Sequence, residues 1–249
     1  MTEKNQVVLK IEGLHKSFGS KNILIDFNLE LLKGENIVVI GKSGSGKSVL
    51  IKCVVGLLKP DKGNILVFGT NMQKMNQDEL DRLRVKIGFL FQNSALYDSM
   101  TVRQNLLFPM RRHWMDISRE EEELLVDEAL ENVGLLHTKE MMPAELSGGM
   151  RKRVAIARTL IMKPELVLYD EPTTGLDPIT GREIVQLMLD LQKKYHISSI
   201  MISHDMTVAK LTANKIIVLY DGTNYATGTY EELKRSTDKN VQQFFEFAT

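Results

Sequence analysis

Several features that would mark a particular class of protein are scarce in this sequence. Its 249 residues contain a single cysteine, Cys53, which excludes an internal disulfide and a cysteine-built metal site. Lys plus Arg and Asp plus Glu each number 32, and a net charge of zero argues against a dedicated nucleic-acid binder. No apolar run approaches the roughly 20 residues of a membrane span, and residues 1–6 lack an apolar signal region. We therefore expect a protein of a reducing compartment that is soluble or peripheral to a membrane.

The residues that are present predict an α/β domain with a packed core. Hydrophobic residues make up 43% of the sequence and charged residues 26%, which is typical of a globular protein. Residues 23–31 alternate between apolar and polar, which predicts a half-buried antiparallel strand. Its expected apolar face consists of Ile23, Ile25, Phe27, Leu29 and Leu31. We expect Cys53 in the core, because it falls on the apolar face of a predicted helix.

The middle of the chain predicts a helical subdomain. Strand patterns vanish between residues 93 and 143, and a capping box formed by Ser118 and Glu121 opens a helix. The apolar stripe of that helix is expected to be Leu124, Leu125, Ala129, Leu130 and Val133. We therefore predict one domain with a catalytic core at 1–92 and 144–235, a helical subdomain at 93–143 and a tail at 236–249.

A glycine-rich loop carries the strongest chemical signal. Residues 41–48 read Gly41-Lys42-Ser43-Gly44-Ser45-Gly46-Lys47-Ser48, which fits the pattern G-x-x-x-x-G-K-S/T. A buried strand is predicted at 36–40 and a helix at 49–57, the context that a phosphate-binding loop needs. Glycines let backbone N–H groups surround phosphate oxygens, so Lys47 would reach the β- and γ-phosphates and Ser48 would bind Mg²⁺. The alternative is a glycine-rich turn that matches the pattern by chance.

Two carboxylates end another buried strand, predicted at 165–170. Asp170 stands where a carboxylate would hold Mg²⁺ through water, and Glu171 could take a proton from an attacking water. The alternative is an acidic pair that caps a strand before Pro172. The glycine loop on the same chain favours the catalytic interpretation.

A second anion-binding motif is predicted at residues 146–150, Leu146-Ser147-Gly148-Gly149-Met150. Ser147 is a good helix N-cap, and two glycines at a helix start leave N–H groups exposed. Since one chain offers its own glycine loop a single triphosphate, this motif makes sense if it closes on the nucleotide of a second subunit. The alternative is a plain capped helix, in which the basic residues 151–153 are surface or packing residues.

The order of these motifs resembles the ATPase subunit of ABC transporters. It runs from the glycine loop through Gln92, the motif at 146–149 and Asp170-Glu171 to Gly175-Leu176-Asp177 and His204. The resemblance covers residues 7 to about 235. It implies an α/β, P-loop NTPase fold with a RecA-like parallel sheet core, an antiparallel β subdomain and an inserted α-helical subdomain. It also implies a head-to-tail homodimer that encloses two molecules of Mg²⁺·ATP.

The resemblance assigns a role to each matching position. It places on the nucleotide Phe18, Gly41, Ser43, Gly44, Ser45, Gly46, Lys47, Ser48, Val49, Ser147, Gly149 and Asp177. It gives Mg²⁺ the ligands Ser48, Gln92 and Asp170, and gives catalysis Glu171, His204, Gln92 and Lys47. Phe18 would stack on adenine, and His204 would hold the γ-phosphate. Taken alone, His204 could equally be a strand-end histidine bonded to backbone.

One position departs from the family pattern and indicates a branch. The motif at residues 146–150 is called the signature motif. Its fifth position is usually Gln in the family, and here it is Met150, which cannot donate a hydrogen bond. The same five residues recur in the MlaF-like ATPases of Mce lipid-transport systems, which residues 91–102 and 169–180 also resemble. We therefore expect a motor subunit that drives (phospho)lipid transport from the cytoplasmic face of the inner membrane. Its expected partners are a second copy, an integral-membrane permease and an Mce-domain protein, with no nucleic acid.

Two other functions stay open from the sequence. The chain could serve an importer of another small solute, because the ATPase subunit never touches the cargo. A non-transport ABC ATPase acting on nucleic acid or ribosomes is the other, although zero net charge and the lack of sustained heptads argue against it.

Overall fold

Ten strands form two sheets in the part of the chain that this computed structural model describes, residues 6–112 and 117–245. The strands are β1 (Val7–Phe18), β2 (Lys21–Leu32), β3 (Asn36–Ile40), β4 (Lys62–Val67), β5 (Thr70–Asn71), β6 (Ile87–Leu90), β7 (Leu166–Asp170), β8 (Ser198–Ile202), β9 (Lys215–Tyr220) and β10 (Thr223–Gly228). The order β2-β1-β4-β5 makes an antiparallel sheet. The order β10-β9-β3-β8-β7-β6 makes a sheet that is parallel except for β10. Both sheets confirm the predicted fold class.

Helices cover the parallel sheet and fill the segment between β6 and β7. They are α1 (Lys47–Val54), α2 (Gln77–Val85), α3 (Val102–Arg112), α4 (Arg119–Glu131), α5 (Gly148–Leu160), α6 (Pro178–Tyr195), α7 (Met206–Thr212), α8 (Tyr230–Lys234) and α9 (Lys239–Gln242). The capping box predicted at Ser118 with Glu121 is present. The sequence also predicts a capping box at Thr229 with Glu232 that opens a last short helix, and this box is present at the start of α8. Within the described ranges, no helix combines the length and apolar character that crossing a membrane requires.

The core lies on both faces of the parallel sheet. On one face β1, β2, β4 and α1 form an apolar cluster that includes Cys53, which is 2% exposed, as predicted. On the other face α3, α4, α5 and α6 share a second cluster. The helices predicted as a separate subdomain therefore pack against the same core as α5 and α6, and the exact boundaries at 93 and 143 stay a prediction.

The antiparallel strands differ from the prediction in length and in register. The first strand, predicted to be short, runs for 12 residues. In β2 the alternation shifts: Leu24 is buried, whereas Ile25, predicted on the apolar face, is 37% exposed. The pairing passes from Leu14 with Phe27 to Lys16 with Leu24, so β2 has one residue more than β1 in this stretch. This bulge, with Asp26 at φ +47°, moves Ile25 to the outer face.

Three helix predictions are wrong in detail. The helix after the glycine loop ends at Val54 rather than at residue 57. The sequence predicts a helix from residue 101 that ends at Pro109, whereas α3 continues through Pro109 to Arg112 and is held by fully buried residues such as Leu106. In α4 the stripe contains Val126, which is fully buried, and not Leu124, which is 70% exposed.

The run of four glutamates at 120–123 predicts a solvated helix face without a function, but two of the four form ion pairs. Arg103 Nε donates to Glu123 at 2.7 Å, and Lys139 Nζ lies 2.5 Å from the other oxygen of this carboxylate. Glu122 Oε2 lies 3.6 Å from Arg111 Nη2. These contacts fasten α4 to α3 and to the segment before α5.

The described part of the tail packs on its own domain. Val241 is 2% exposed, and Phe244 and Phe245 pack against the helical face of the core. The rings of Phe245 and Tyr230 meet edge to face at 5.4 Å between centroids. Phe247, also predicted to seek a surface, lies outside the described residues.

Candidate active site

The candidate site lies at the carboxyl edge of the parallel sheet. Because β3, β8, β7 and β6 are neighbours and parallel, the residues that follow them meet at one edge. Gly41 follows β3, His204 lies after β8, Glu171 follows β7 and Gln92 lies after β6. Strand β8 separates the glycine loop from the Asp170 strand, yet the Ser48 hydroxyl reaches to 3.5 Å from Asp170 Oδ1.

Glycine is required at two positions of the loop at 41–48. A Cβ on Gly41 would lie 2.6 Å from the carbonyl oxygen of Leu219 and from Ser45 Oγ. Gly46 has φ +107°, and a Cβ there would lie 2.9 Å from the Ile23 carbonyl oxygen. The backbone therefore follows a path that larger residues would block, and the side chains of Ser43 and Ser48 stay exposed.

Lys47 lies inside this loop. Its side chain is buried, and Nζ donates to the carbonyl oxygens of Gly41 at 2.7 Å and Lys42 at 3.0 Å. Burial lowers the pKa of Lys47, while the charges of Glu171 and Asp170 oppose that change. Ser45 Oγ is buried and has no hydrogen-bond partner among the residues that the structure describes. An unpartnered hydroxyl and a buried cation in a ring of backbone groups fit a polyphosphate.

The pair of Ser48 and Asp170 offers oxygen donors of the kind that Mg²⁺ prefers. Burial, and then the charge of Glu171, raise the pKa of Asp170, so the carboxylate lies in a site that favours added positive charge. Mg²⁺ in phosphate-transfer sites takes one or two protein oxygens and completes its shell with phosphates and water. The donors present fit that arrangement.

Glu171 is the centre of a small polar cluster. Its carboxylate accepts a hydrogen bond from Gln92 Nε2 at 3.3 Å and from Thr174 Oγ1 at 2.9 Å, and lies 3.5 Å from His204 Nδ1. Its backbone has φ +47°, uncommon for a residue with a side chain, and its N–H donates to the Ile202 carbonyl oxygen. The structure thus brings together Glu171, Gln92 and His204, which the sequence predicted as one group. Thr174 was missed, and its only sequence signal is its place three residues after Glu171.

The motif at 146–150 begins α5. Ser147 is its N-cap and accepts from the Met150 N–H at 3.2 Å, and Ser147 and Gly148 are exposed. Among the described residues, no hydrogen bond or ion pair joins this motif to the glycine loop of the same chain. Ser147 and Gly148 are therefore accessible at the start of α5, whereas the Met150 side chain packs against the helical core.

The start of α6 supports the start of α5. A Cβ on Gly149 would lie 2.8 Å from Thr180 Cγ2, so only glycine lets the two helices approach this closely. Asp177 caps α6 by accepting from the N–H groups of Ile179 and Thr180, both at 3.0 Å. Hydrogen bonds from Thr180 are the main cause that lowers the pKa of Asp177.

Phe18, the expected adenine contact, ends β1 with half of its surface exposed. Lys16 Nζ lies 5.4 Å from its ring centroid. The ring is available for stacking, which requires only a free face. Val49, the last predicted contact, is half-buried in α1.

Residues 24–174 match the family model described as ABC transporter. The chain belongs to this family. It is 37% identical over 240 residues to the probable ribonucleotide transport ATP-binding protein mkl of Mycobacterium leprae, which covers 96% of this chain and 68% of the relative. It is 35% identical over 240 residues to the intermembrane phospholipid transport system ATP-binding protein MlaF of Haemophilus influenzae, with 96% and 90% coverage.

A solved structure supports the same assignment. The dimeric, post-hydrolysis ATP-binding cassette MJ0796 bound to ADP and Pi superposes with a TM-score of 0.81 at 32% identity, covering 89% of this chain and 98% of that one. This ABC transporter chain is therefore an ATPase. The roles of its individual site residues stay predictions.

One residue of this ABC ATPase was missed in the sequence. Lys152, in the basic group at 151–153, was expected on the surface or in domain packing; its side chain is 3% exposed. Its Nζ donates to the backbone carbonyl oxygen of Gln92 at 2.6 Å. Burial lowers the pKa of this ammonium. Its sequence signal is its position three residues after Gly149, on the inner side of α5.

Proposed function

We propose that this ABC ATPase hydrolyses Mg²⁺·ATP as a homodimer and thereby drives (phospho)lipid transport through a separate membrane permease. The observation that carries the catalytic part is the Glu171 carboxylate, held by Gln92 and Thr174 and facing His204. A carboxylate oriented by three neighbours at a strand end beside a phosphate loop is well placed to act as a general base.

Each residue of the site has a defined task in this proposal. Lys47 and the N–H groups of residues 41–48 bind the phosphates, and Ser48, Asp170 and Gln92 hold Mg²⁺. Bound Mg²⁺·ATP supplies the anhydride and the charge neutralisation that phosphoryl transfer needs. Glu171 accepts the proton of the attacking water, while Gln92 orients that water and His204 holds the γ-phosphate end.

The homodimer follows from the separation of the two anion-binding motifs. Ser147 and Gly148 are exposed at the start of α5, with no polar contact to the glycine loop of their own chain in the described ranges. In a two-fold dimer each motif can face the loop of the other copy. The dimeric state of the ATP-binding cassette MJ0796 supports this arrangement.

A groove beside the Gln92 loop is the proposed seat of the permease. It has a volume of about 420 Å³ and lies between β6, α3 and α5. Phe91 and Tyr97, both about two-fifths exposed, line it together with Phe108 and Arg158. Exposed aromatic rings beside an arginine suit a protein partner, and the loop links this groove to the catalytic site. Binding here places the chain on the cytoplasmic face of the membrane as a peripheral subunit.

Phospholipid is the proposed cargo class, with an Mce-domain protein as a further partner. The support is the 35% identity to MlaF of Haemophilus influenzae along 96% of this chain, together with the signature motif that ends in Met150. A second candidate is the import of another small solute, favoured by the 34% identity over 252 residues to the methionine import ATP-binding protein MetN of Campylobacter jejuni.

Substitution of Glu171 tests the catalytic part. Glu171→Gln should abolish ATP hydrolysis and allow a stable dimer with ATP, because the amide keeps its hydrogen bonds but cannot take a proton. The measurements are phosphate release and ATP-dependent dimerisation by size-exclusion chromatography with light scattering. Glu165→Gln, at an exposed ion pair with Lys86, is the control and should hydrolyse ATP normally. Turnover near wild type in Glu171→Gln would show that another group is the base.

Reconstitution tests the cargo. The chain, copurified with its membrane partner, is placed in proteoliposomes that contain fluorescent phospholipid. ATP should drive transfer of the phospholipid to acceptor vesicles, and Glu171→Gln should not. Stimulation of ATP hydrolysis by a nucleotide or another solute, with no phospholipid transfer, would favour the second candidate instead.

A further inference from the structure

Two cations of α5 hold the loop that follows β6. Lys152 Nζ donates to the Gln92 carbonyl oxygen at 2.6 Å, and Arg158 Nη2 donates to the Ser94 carbonyl oxygen at 2.9 Å. Arg158 also donates to Asn105 Oδ1, and Asn105 in turn binds the backbone of Tyr97 on both its N–H and its carbonyl oxygen. The loop is therefore tied to α5 at Gln92 and at Ser94.

The position of Lys152 on α5 matters because this helix begins with the signature motif. Ser147 and Gly149 lie in its first turn, and Lys152 lies one turn later on the buried side. The Gln92 amide, on the other side of the Lys152 contact, reaches Glu171. A chain of direct contacts thus runs from the signature helix through Lys152 and Gln92 to the proposed base.

We propose that Lys152 is a positioning residue that sets the Gln92 backbone, and through it the Gln92–Glu171 contact, according to the position of the signature helix. A nucleotide bound by the partner copy moves or orders the start of α5. Lys152 transmits that change within the chain to the site that holds its own nucleotide. The inference rests on the proposed role of Gln92 in the ATPase site.

The burial of Lys152 separates this role from a merely structural one. The ammonium is 3% exposed, its one hydrogen bond in the described structure goes to a carbonyl oxygen, and no carboxylate of the described residues pairs with it. A buried charge without a counter-charge destabilises a fold, and an apolar side chain of similar length is often neutral or stabilising there. Stability alone therefore gives no reason for a lysine at this position.

The test compares Lys152→Met, Lys152→Arg and the wild-type full-length protein. We expect Lys152→Met to melt at or above the wild-type temperature and to keep the wild-type KM for ATP. Its kcat should fall by about 10- to 100-fold, since a misplaced catalytic group costs rate rather than binding. Lys152→Arg keeps a donor and should recover most of kcat. In the nucleotide-free protein, hydrogen exchange at residues 91–101 should be faster in Lys152→Met alone.

The control is Lys163→Met, which removes an exposed lysine that lies beyond the far end of α5. It should leave kcat and hydrogen exchange at wild-type values. Wild-type kcat and exchange in Lys152→Met would overturn the inference, as would a loss of kcat accompanied by a lower melting temperature and unchanged local exchange. Hydrogen exchange at residues 91–101 is measured without nucleotide, so it tests the contact between Lys152 and Gln92 independently of catalysis. A failure of the proposed role of Glu171 as the base would therefore not change this result.

Discussion

At the residue scale, the site is built from charges that the nucleotide-free fold disfavours. Burial lowers the pKa of Lys47 and raises the pKa of Asp170, so each group is held where its charged form is costly. Both shifts weaken when an opposite charge arrives: phosphate beside Lys47 and a metal ion beside Asp170. The electrostatics of these two residues therefore favour the binding of a ligand that brings both opposite charges.

Gly41→Ala should abolish tight nucleotide binding. The added Cβ would meet two atoms at 2.6 Å, and one of them is the backbone oxygen of Leu219, which cannot move aside. Relief of such a clash typically costs about 1–3 kcal/mol and here displaces the loop that surrounds the phosphates. Affinity should fall by about tenfold for each 1.4 kcal/mol of that cost. Titration with a fluorescent ATP analogue measures it.

Gly134→Ala is the matched control for this prediction. Gly134 has φ +71° and open space around its Cβ direction, far along the chain from the loop. Alanine there costs about 1 kcal/mol of backbone strain and should lower stability without changing nucleotide affinity. Equal loss of affinity in both variants would mean that Gly41 acts through stability alone.

Some residues of the candidate site could be predicted from local sequence patterns, and others could not. The glycine loop, Asp170 and Glu171 were predictable because strand ends and phosphate loops have local patterns. Thr174 and Lys152 could not be predicted in this way. The contact of Thr174 with Glu171 depends on how a turn orients its side chain, and the contact of Lys152 with Gln92 depends on which face of α5 is buried. Lys152 reaches Gln92 from 60 positions away, and no local pattern encodes such a contact.

At the element scale, two helix starts act as one unit. The first turn of α5 carries the signature motif, and the first turn of α6 carries the Asp177 cap. Gly149 and Thr180 join them, so the position of the signature depends on α6. A change at this junction should therefore alter dimer formation before it alters the loop at 41–48.

Gly149→Ala should lower the melting temperature and weaken the ATP-dependent dimer, because its Cβ would lie 2.8 Å from Thr180 Cγ2. Adding Thr180→Ser removes that methyl group and keeps the hydroxyl that donates to Asp177. We expect the double variant to regain stability but only part of the dimer, since alanine still narrows access to the N–H groups. Full recovery of the dimer would show that Gly149 serves helix packing only. Thr180→Ser alone is the control.

Glu123→Gln should destabilise the α3–α4 pair in a pH-dependent way. Hydrogen bonds from Lys139 and Arg103 lower the pKa of Glu123. A carboxylate with a lowered folded-state pKa stabilises the fold above its unfolded pKa of about 4.3 and loses that effect as the pH falls through the folded value. The melting temperatures of wild type and Glu123→Gln should therefore differ near pH 7 and converge in acid. Glu131→Gln, at an exposed position of the same helix, is the control for the substitution itself and should melt near the wild-type temperature at pH 7.

The predicted helices and strands were right where local capping chemistry sets the end of an element. They were wrong where long-range packing sets its end or its register. The capping boxes at Ser118 and Thr229 fix two helix starts from four residues each. The shift at Asp26 was unpredictable, because the pairing of β2 with β1 and a bond from the Ile25 N–H to the Gly222 carbonyl oxygen decide it. The short α7 was missed since its seven residues give less than two full periods of a helical pattern.

At the scale of the whole molecule, the described part of the chain carries two proposed half-sites with no hydrogen bond or ion pair between them. The glycine loop and the Glu171 cluster lie at the sheet edge, while Ser147 and Gly148 are exposed at the start of α5. A protein arranged in this way should bind ATP as a single chain and hydrolyse it only after pairing. Specific activity should therefore rise with protein concentration up to the concentration at which the dimer forms.

Complementation between two inactive variants tests this composite site directly. Lys47→Ala loses the phosphate loop and Gly149→Asp blocks the signature motif, so each variant alone should be inactive. In a mixed dimer, one site combines the intact loop of one copy with the intact signature of the other. An equal mixture of the two variants should recover about a quarter of wild-type activity. About half of the dimers are then mixed, and one of the two ATP sites in each mixed dimer is intact. The control is an equal mixture of wild type with the double variant Lys47→Ala/Gly149→Asp, whose mixed dimers contain no intact composite site. Its activity should fall to the roughly one quarter that wild-type homodimers supply, against about a half if each chain worked alone. No recovery in the first mixture would place the signature motif on the nucleotide of its own chain, or require both sites to work together.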